Sequence, residues 1–484
     1  MPLSNTTPLF LTRYAAGPSV GSQSFGAKVE GFERPYVISW NLTYRCNLAC
    51  EHCYLDAGAT PLVGTENFAD RSELDTQECF KVIDEIAAFA PECVTILTGG
   101  EPLLRRDILD IVRYAAGREL WVVVGTNGVC ITENVARRLA EAGARGLSLS
   151  LDALDPERHD RFRMVRGAWR NTVEGAAILN RIGVPFIVQT TAGSHNCDEL
   201  EAIADFAHDR LGARVWNLYF LVPTGRGQFV SDMTPSQYDD VLASLFHIQR
   251  KYERRMLVNA KCAPHYVKTL LEHAKAEGDP EIRTYSGGAG GCPAGTHYMG
   301  IRPNGDVTPC PYLPVFAGNL RREALADLWT SSDLFTRIRR RSLLEGRCGA
   351  CEINAQCGGC RARAYGSTGD LMAEDPLCTH TPGTFAGSPV LTLSGSSSPA
   401  LSAQGESKGA IEYGSESAMT IAWDDAATAR MKKIPAFVRG MVVRAVEESC
   451  RRSGLERVTV EELERIRARM PTPKVFGGGR SGTP

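Results

Sequence analysis

Three cysteines stand close together as Cys46-x3-Cys50-x2-Cys53, inside Asn41-Leu-Thr-Tyr-Arg-Cys-Asn-Leu-Ala-Cys-Glu-His-Cys-Tyr54. Thiolates at this spacing can wrap one face of an iron–sulfur cubane, each binding one iron. The fourth iron then needs a distant cysteine or an external ligand, and an open iron is a place where a small substrate can coordinate. Three structural thiols, or a zinc knuckle short of one ligand, are the blander alternatives.

A second group of seven cysteines lies between positions 292 and 378. Cys292 is followed by Gly305-x4-Cys310, then by Cys348-x2-Cys351-x5-Cys357-x2-Cys360, and finally by Cys378. Zinc could take four of these and leave an awkward remainder, whereas seven thiols suit one or two iron–sulfur sites. Cys262, in the polar stretch Lys261-Cys-Ala-Pro-His-Tyr266, is either a further ligand or a buried thiol. The chain has sixteen cysteines in all, and Cys79, Cys93, Cys130, Cys197 and Cys450 are scattered. Clustered cysteines in a chain without export features point to metal rather than to disulfides.

These groups need elements to hold them. Short apolar runs at Tyr36–Trp40, Val94–Leu97, Trp121–Val124, Leu147–Leu151, Pro185–Gln189 and Val215–Leu221 read as six strands. Amphipathic stretches at Cys79–Phe89, Ile108–Ala116, Ala136–Ala142, Val173–Ile182 and Leu200–Leu211 lie between them, which predicts an α/β fold with a mainly parallel sheet and outer helices. Chemistry in such sheets gathers at the C-terminal strand ends. The first cysteine group, Thr98-Gly99-Gly100-Glu101-Pro102 and Gly125-Thr126-Asn127-Gly128 all fall there. Two glycines let the backbone approach a ligand closely, and Glu101 could accept from an ammonium group.

The length of 484 residues exceeds one core and predicts two to four domains. The pattern divides the chain into an N-terminal arm (1–33), a βα domain (34–255), a cysteine-rich domain (256–380) and a Ser/Gly/Pro linker (381–418), then a helical domain (419–470) and a disordered tail (471–484). In the helical domain Pro435 suits a first helical turn, with Val438, Met441, Val442, Ala445 and Val446 on one face. Gly454 is placed to end that helix, and Thr459 with Glu462 forms a capping box for the next. A composition 43% hydrophobic and 23% charged is that of a globular protein, and a net charge of -2 gives no field to gather nucleic acid or anionic lipid. No run approaches the roughly 20 apolar residues of a membrane span. Met1–Gly26 lacks the order of a signal peptide, so a cytoplasmic location is expected.

The three-cysteine loop after a first strand resembles the radical S-adenosylmethionine (SAM) superfamily, which has a partial (β/α)6 barrel. The resemblance implies that SAM chelates the fourth iron through its amino and carboxyl groups and is cleaved reductively to a 5′-deoxyadenosyl radical. Gly99, Gly100, Glu101 and Pro102 match the family segment that contacts the SAM amino group. Asn127, the Ser148-Leu-Ser150-Leu-Asp152 strand and Arg163 occupy positions where the family meets SAM or its ribose. The second cysteine group resembles the SPASM extension, with two rather than the frequent three residues between Cys357 and Cys360. By that resemblance Cys348, Cys351, Cys357 and Cys378 hold one auxiliary [4Fe–4S] cluster. Cys292, Cys310 and Cys360 hold another, with Cys262 or a substrate atom as fourth ligand.

Leu221-Val-Pro-Thr-Gly-Arg226-Gly, Lys261-Cys-Ala-Pro-His265-Tyr and Cys357-Gly-Gly-Cys-Arg361-Ala-Arg363-Ala-Tyr resemble the radical SAM enzymes of alternative heme and heme d1 biosynthesis. That likeness implies an oxidoreductase decarboxylating or dehydrogenating the propionates of a heme-like tetrapyrrole, fed by a low-potential donor such as ferredoxin or flavodoxin. Arg226, Arg361, Arg363 and His265 are then candidate carboxylate partners, and His265 a candidate heme ligand. Trp423–Met470 resembles the small domain ending the B subunit of light-independent protochlorophyllide reductase. The rival readings are a SPASM maturase of a ribosomal peptide and a non-catalytic iron–sulfur electron carrier.

Overall fold

Runs rich in Val, Ile and Leu become strands because their branched side chains fill both faces of a covered sheet. The computed structural model describes residues 34, 35, 37–58, 72–91, 93–230, 233–252, 255–277, 291–386, 419–431, 443, 446, 447 and 449–469. Seven strands run parallel in sequence order: β1 (Val37–Asn41), β2 (Val94–Thr98), β3 (Trp121–Gly125), β4 (Gly146–Ser150), β5 (Phe186–Ala192), β6 (Val215–Phe220) and β7 (Leu257–Lys261). On the other side of β1 the sheet continues through β8 (Tyr298–Ile301), parallel to it, and then the antiparallel β9 (Asp306–Thr308) and β10 (Gly318–Asn319). The edges β7 and β10 are not paired with each other, so the barrel is open.

Along the strands side chains alternate between two cores. Val94, Ile96, Val123, Ile187 and Val215 fill the inside. Leu97, Val122, Val124, Phe186 and Val188 face the helices. Those helices are α1 (Thr76–Phe89), α2 (Ile108–Gly117), α3 (Glu133–Glu141), α4 (Pro156–Arg163), α5 (Ala168–Arg181) and α6 (Leu200–Asp205), the last running on as a wider π-turn over Phe206–Leu211, followed by α7 (Pro235–Lys251). No helix among the described residues is long and apolar enough to cross a membrane.

The sheet does not stop at residue 255. β7 is polar for a strand, and its Asn259 is kept inside by a hydrogen bond to Asn217 on β6 (2.9 Å). After α8 (Tyr266–Glu277), β8 returns to the opposite edge, so the cysteine-rich segment is joined to both sides of the barrel. It continues through α9 (Leu325–Ser331), α10 (Asp333–Arg339), α11 (Gly346–Ala350) and α12 (Arg361–Thr368).

The described residues between 419 and 469 build their own small core from Ala427, Val446, Cys450 and Val458. Around it stand a two-stranded parallel sheet, β11 (Ala422–Trp423) with β12 (Arg457–Val458), and the helices α13 (Asp425–Met431) and α14 (Val460–Arg469). Gly454 adopts φ +69°, and the Glu462 amide donates to the Thr459 hydroxyl (3.3 Å). The arm, most of the linker and the tail lie outside the described residues, as do residues 435–442, 444, 445 and 448 of the helix expected from Pro435 to Gly454.

Candidate active site and cysteine groups

Cys46, Cys50 and Cys53 project from the loop after β1 into a cavity at the C-terminal ends of the strands. The cavity wall includes Gly99, Gly100, Asn127, Ser150, Arg163 and Arg226. Gly100 must be glycine, because a Cβ there would stand 2.2 Å from the Arg45 carbonyl oxygen, and Gly99 has φ +140°. Both let the loop after β2 lie flat against the cysteine loop. Asn127 reaches across to Asn47 (Nδ2 to Oδ1, 2.7 Å), and Arg163 pairs with buried Asp152 (2.6 Å) while directing Nη1 at Cys50 Sγ (3.7 Å).

Glu101 and Pro102 stand behind this wall. The Glu101 carboxylate accepts from Thr126 Oγ1 (2.8 Å), Asn127 N (2.8 Å) and Leu103 N (3.1 Å), and the residue is fully buried. Burial pushes its pKa up to about 7 against the pull of those donors. It braces the loop after β3 through Thr126 and Asn127.

The far end of the cavity is aromatic. Tyr312 lies between Tyr54 (ring centroids 4.7 Å apart) and Tyr219 (6.2 Å). Tyr298, Val222, Gln189 and Thr191 complete it. Sequence reasoning passed over these residues, since tyrosines on strand ends and loops carry no spacing signal. His52 also lines the cavity and stacks on Phe162 (4.3 Å), although only its neighbours Cys50 and Cys53 were singled out.

Eight further cysteines fall into two groups. Cys360 contacts both Cys262 and Cys292, and Cys310 lies beside Cys292 and Cys360. Cys348, Cys351, Cys357 and Cys378 surround a second small cavity. Cys262 joins the first of these groups from the end of β7, in a left-handed backbone conformation with φ +58°. Cys79 and Cys93 belong to the barrel core, Cys197 packs against that core, and Cys450 belongs to the C-terminal core. Cys130 accepts from Asn47 at the edge of the first site (3.5 Å).

No disulfide joins any of the sixteen cysteines. Burial pushes Cys46, Cys351 and Cys378 up to about 12, and contact with Cys262 heads the causes that bring Cys360 to about 12. Enclosed all-sulfur donor sets of three, four and four fit iron–sulfur clusters, whose iron must displace those protons on loading.

The four residues expected to receive a substrate carboxylate are committed elsewhere. Arg226 donates to Asp56 (2.7 Å) and to the carbonyls of Cys50 (2.8 Å) and Ala57 (2.9 Å), tying the cysteine loop down. Arg361 donates to the Leu371 and Ala373 carbonyls and to Cys348 Sγ (3.6 Å). Arg363 pairs with Asp375 (2.9 Å), and His265 meets Tyr238 (3.1 Å) and Asp375 (3.6 Å). Arg361, Arg363 and His265 are buried away from the main cavity. A guanidinium already satisfied inside the protein has little to gain from a new partner, and the three arginines brace the segments that carry Cys50, Cys348 and Cys262, while His265 lines the second cavity.

Comparison with known proteins agrees with this geometry. The radical SAM superfamily model matches residues 40–207, an iron–sulfur cluster-binding (SPASM) domain matches 292–360, and the proto-chlorophyllide reductase 57 kD subunit family matches 423–467. The chain is 38% identical over 352 residues to the AdoMet-dependent heme synthase of Methanosarcina barkeri, covering 72% of this chain and 97% of that one. It is 30% identical to the pre-heme d1 synthase of Dinoroseobacter shibae (72% and 87% covered) and 31% identical to the mycofactocin maturase MftC of Mycobacterium ulcerans (72% and 89%). Streptococcus suis SuiB bound to S-adenosylmethionine shares the fold, with a TM-score of 0.57 at 18% identity over 72% of this chain and 78% of that one. A [4Fe–4S] cluster, SAM and auxiliary iron–sulfur centres are accordingly its cofactors. The chain belongs to the radical SAM superfamily of enzymes and carries its SPASM extension.

Proposed function

We propose that this enzyme acts on the propionate side chains of a heme-like tetrapyrrole. The observation that carries this reading is the 38% identity spanning 97% of a heme synthase. A cavity walled by aromatic residues beside the first cysteine group, whose Tyr312 also feels Cys262, supports it. In this reading Cys46, Cys50 and Cys53 hold the reducing cluster. Cys262, Cys292, Cys310 and Cys360 hold one auxiliary cluster, and Cys348, Cys351, Cys357 and Cys378 hold the other. When bound, these groups and SAM supply a hydrogen-abstracting 5′-deoxyadenosyl radical and an acceptor for one electron, a low-potential donor such as ferredoxin or flavodoxin having started the cycle.

Abstraction of a hydrogen from a propionate leaves a carbon radical. Loss of carbon dioxide and one electron then gives a vinyl group, while loss of a proton and one electron gives an acrylate. The protein contributes position and dryness. Gly99 and Gly100 let SAM lie against the backbone, and Asn127, Ser150 and Arg163 hold it. Tyr54, Tyr219 and Tyr312 present flat apolar faces to a macrocycle. With the three guanidinium groups spent internally and His265 held neutral by burial, the groups that meet a carboxylate are the hydroxyls and amide of Tyr219, Tyr298, Tyr312, Thr191 and Gln189. Burial raises Tyr312 well above an ordinary phenol, so it stays a donor.

The test is anaerobic. The reconstituted, reduced protein is given SAM, and 5′-deoxyadenosine is measured with and without iron-bearing tetrapyrrole carboxylates. Acceleration by one tetrapyrrole with matching loss of carboxyl mass supports the reading, and its disappearance in Cys46→Ala assigns the first site. Cleavage indifferent to every tetrapyrrole transfers the assignment to a peptide substrate.

A further inference from the structure

The tetrapeptide Cys357-Gly358-Gly359-Cys360 links the two auxiliary groups, since Cys357 belongs to one and Cys360 to the other. Three peptide steps span at most about 11 Å, so the groups are held close together. Thiolate-ligated clusters are anionic, and two of them side by side in a poorly polarisable interior repel each other. A cation between them offsets that repulsion.

Each glycine of the link has a guanidinium pressed against it. A Cβ on Gly358 would stand 2.2 Å from Arg341 Nη1, and one on Gly359 2.6 Å from Arg361 Nη2. Both glycines are left-handed, with φ +65° and +59°. Arg361 has its carbonyl partners. Arg341 is different: its Nη2 donates to the Cys292 carbonyl (2.9 Å), its Nη1 is buried without a hydrogen-bond partner, and among the described residues no carboxylate pairs with it. The negative groups that feel its charge are Cys292 on one side and Cys357 and Cys348 on the other, while Arg361 and His297 face it as a cation and a neutral imidazole. An arginine keeps its proton in such a place, and an enclosed charge without a counter-ion is costly. The counter-ions that remedy this are the thiolates of both groups.

We propose that Arg341 is the cation shared by the two auxiliary iron–sulfur sites, and that it sets their reduction potentials as a positioning residue rather than a catalytic one. It rests on the two ligand sets proposed above. Reduction adds a negative charge to a cluster, and the guanidinium stabilises that charge. Removing it shifts each one-electron equilibrium toward the oxidised form.

The experiment uses the full chain, reconstituted anaerobically, in a Cys46→Ala, Cys50→Ala, Cys53→Ala background so that only auxiliary signals remain. Iron content and an electron paramagnetic resonance redox titration are compared for that protein and its Arg341→Gln and Arg341→Lys derivatives. Arg341→Gln is expected to keep its iron and move the midpoints negative by about 59 mV or more, a tenfold change in each equilibrium, with Arg341→Lys recovering most of the shift. Loss of iron in Arg341→Gln that lysine repairs also supports a required charge. Unchanged midpoints with full iron overturn the proposal, and so does iron loss that lysine fails to repair. Absence of auxiliary signals before Arg341 is altered refutes the ligand sets instead.

Discussion

Arg363 and Asp375 form a buried ion pair (2.9 Å) that holds two cysteines from distant parts of the chain. Arg363 Nη2 donates to the Cys262 carbonyl (2.8 Å), and Asp375 Oδ2 accepts the Cys360 amide (2.7 Å). Asp375 Oδ1 also accepts from Leu377 N (3.1 Å), so both of its oxygens are engaged. Asp375→Asn strands the guanidinium and is expected to cost about 3–5 kcal/mol. Chemical denaturation of the metal-free protein measures the stability loss. In the reconstituted variant, iron analysis is expected to show a depleted Cys262–Cys360 centre. An unchanged denaturation midpoint would show that the pair is dispensable.

The gathering of Cys262 with Cys292, Cys310 and Cys360 separates two outcomes for single-cysteine variants. Cys262→Ala is expected to lose or destabilise one auxiliary centre, read as a fall in iron and sulfide per chain. Cys130→Ala, which removes only an acceptor for Asn47, leaves the iron content unchanged. Equal iron in both variants would mean that Cys262 is not a ligand.

Glu101→Gln replaces a carboxylate that accepts three hydrogen bonds by an amide that must point its NH2 at one of the donors. Leaving such a donor unpaired costs about 1–3 kcal/mol. Because the strain falls on the Asn127 loop, SAM binding measured by calorimetry is expected to weaken about tenfold. A dissociation constant that does not move would place Asn127 outside the SAM site.

His159 makes the fold sensitive to acid. It is buried, and its Nδ1 accepts the Asp152 amide (3.2 Å). Burial brings its pKa down to about 4, the pull of Asp152 being outweighed. With the folded pKa below the unfolded value of about 6.5, its contribution is complete above pH 6.5 and drains away as pH falls toward 4. The slope in that window is about 1.4 kcal/mol per pH unit. His159→Gln keeps an acceptor and cannot protonate, so unfolding free energies at pH 7 and pH 5 should lie closer together than in the parent. Equal slopes would show that His159 does not titrate there.

Tyr312→Phe keeps the aromatic wall and deletes one hydroxyl. If the wall receives a carboxylate, the KM for the tetrapyrrole rises several-fold while the dissociation constant for SAM stays put. A reversed pattern would assign Tyr312 to the SAM end.

The six strands and most of the outer helices were legible because each alternates or repeats its apolar residues over at least one full period. β7 was not, because Leu257-Val-Asn-Ala-Lys stays inside through an Asn259–Asn217 hydrogen bond made with another strand. α4 was missed as well. Its sequence, Pro156-Glu-Arg-His-Asp-Arg-Phe-Arg163, is almost wholly polar, and it is held by Asp155 capping the Arg158 amide and by the turns of His159, Phe162 and Arg163 toward the core.

The amino-acid sequence by itself determined the chemistry. The Cys46–Cys53 loop, the Gly99–Pro102 turn and the Cys348–Cys360 block are local patterns whose spacing is set within a few residues, where the chain has little freedom to rearrange them. Only the tertiary structure decided what each charged side chain does. Whether Arg226, Arg361 and Arg363 face a cavity or grip carbonyls depends on which distant backbone is folded against them, and here it is the backbone of Cys50, Ala57, Leu371, Ala373 and Cys262. The membership of Cys262 was decided in the same way. β7 must pair with β6 before that thiol meets Cys360, a contact across about a hundred residues that no local spacing encodes.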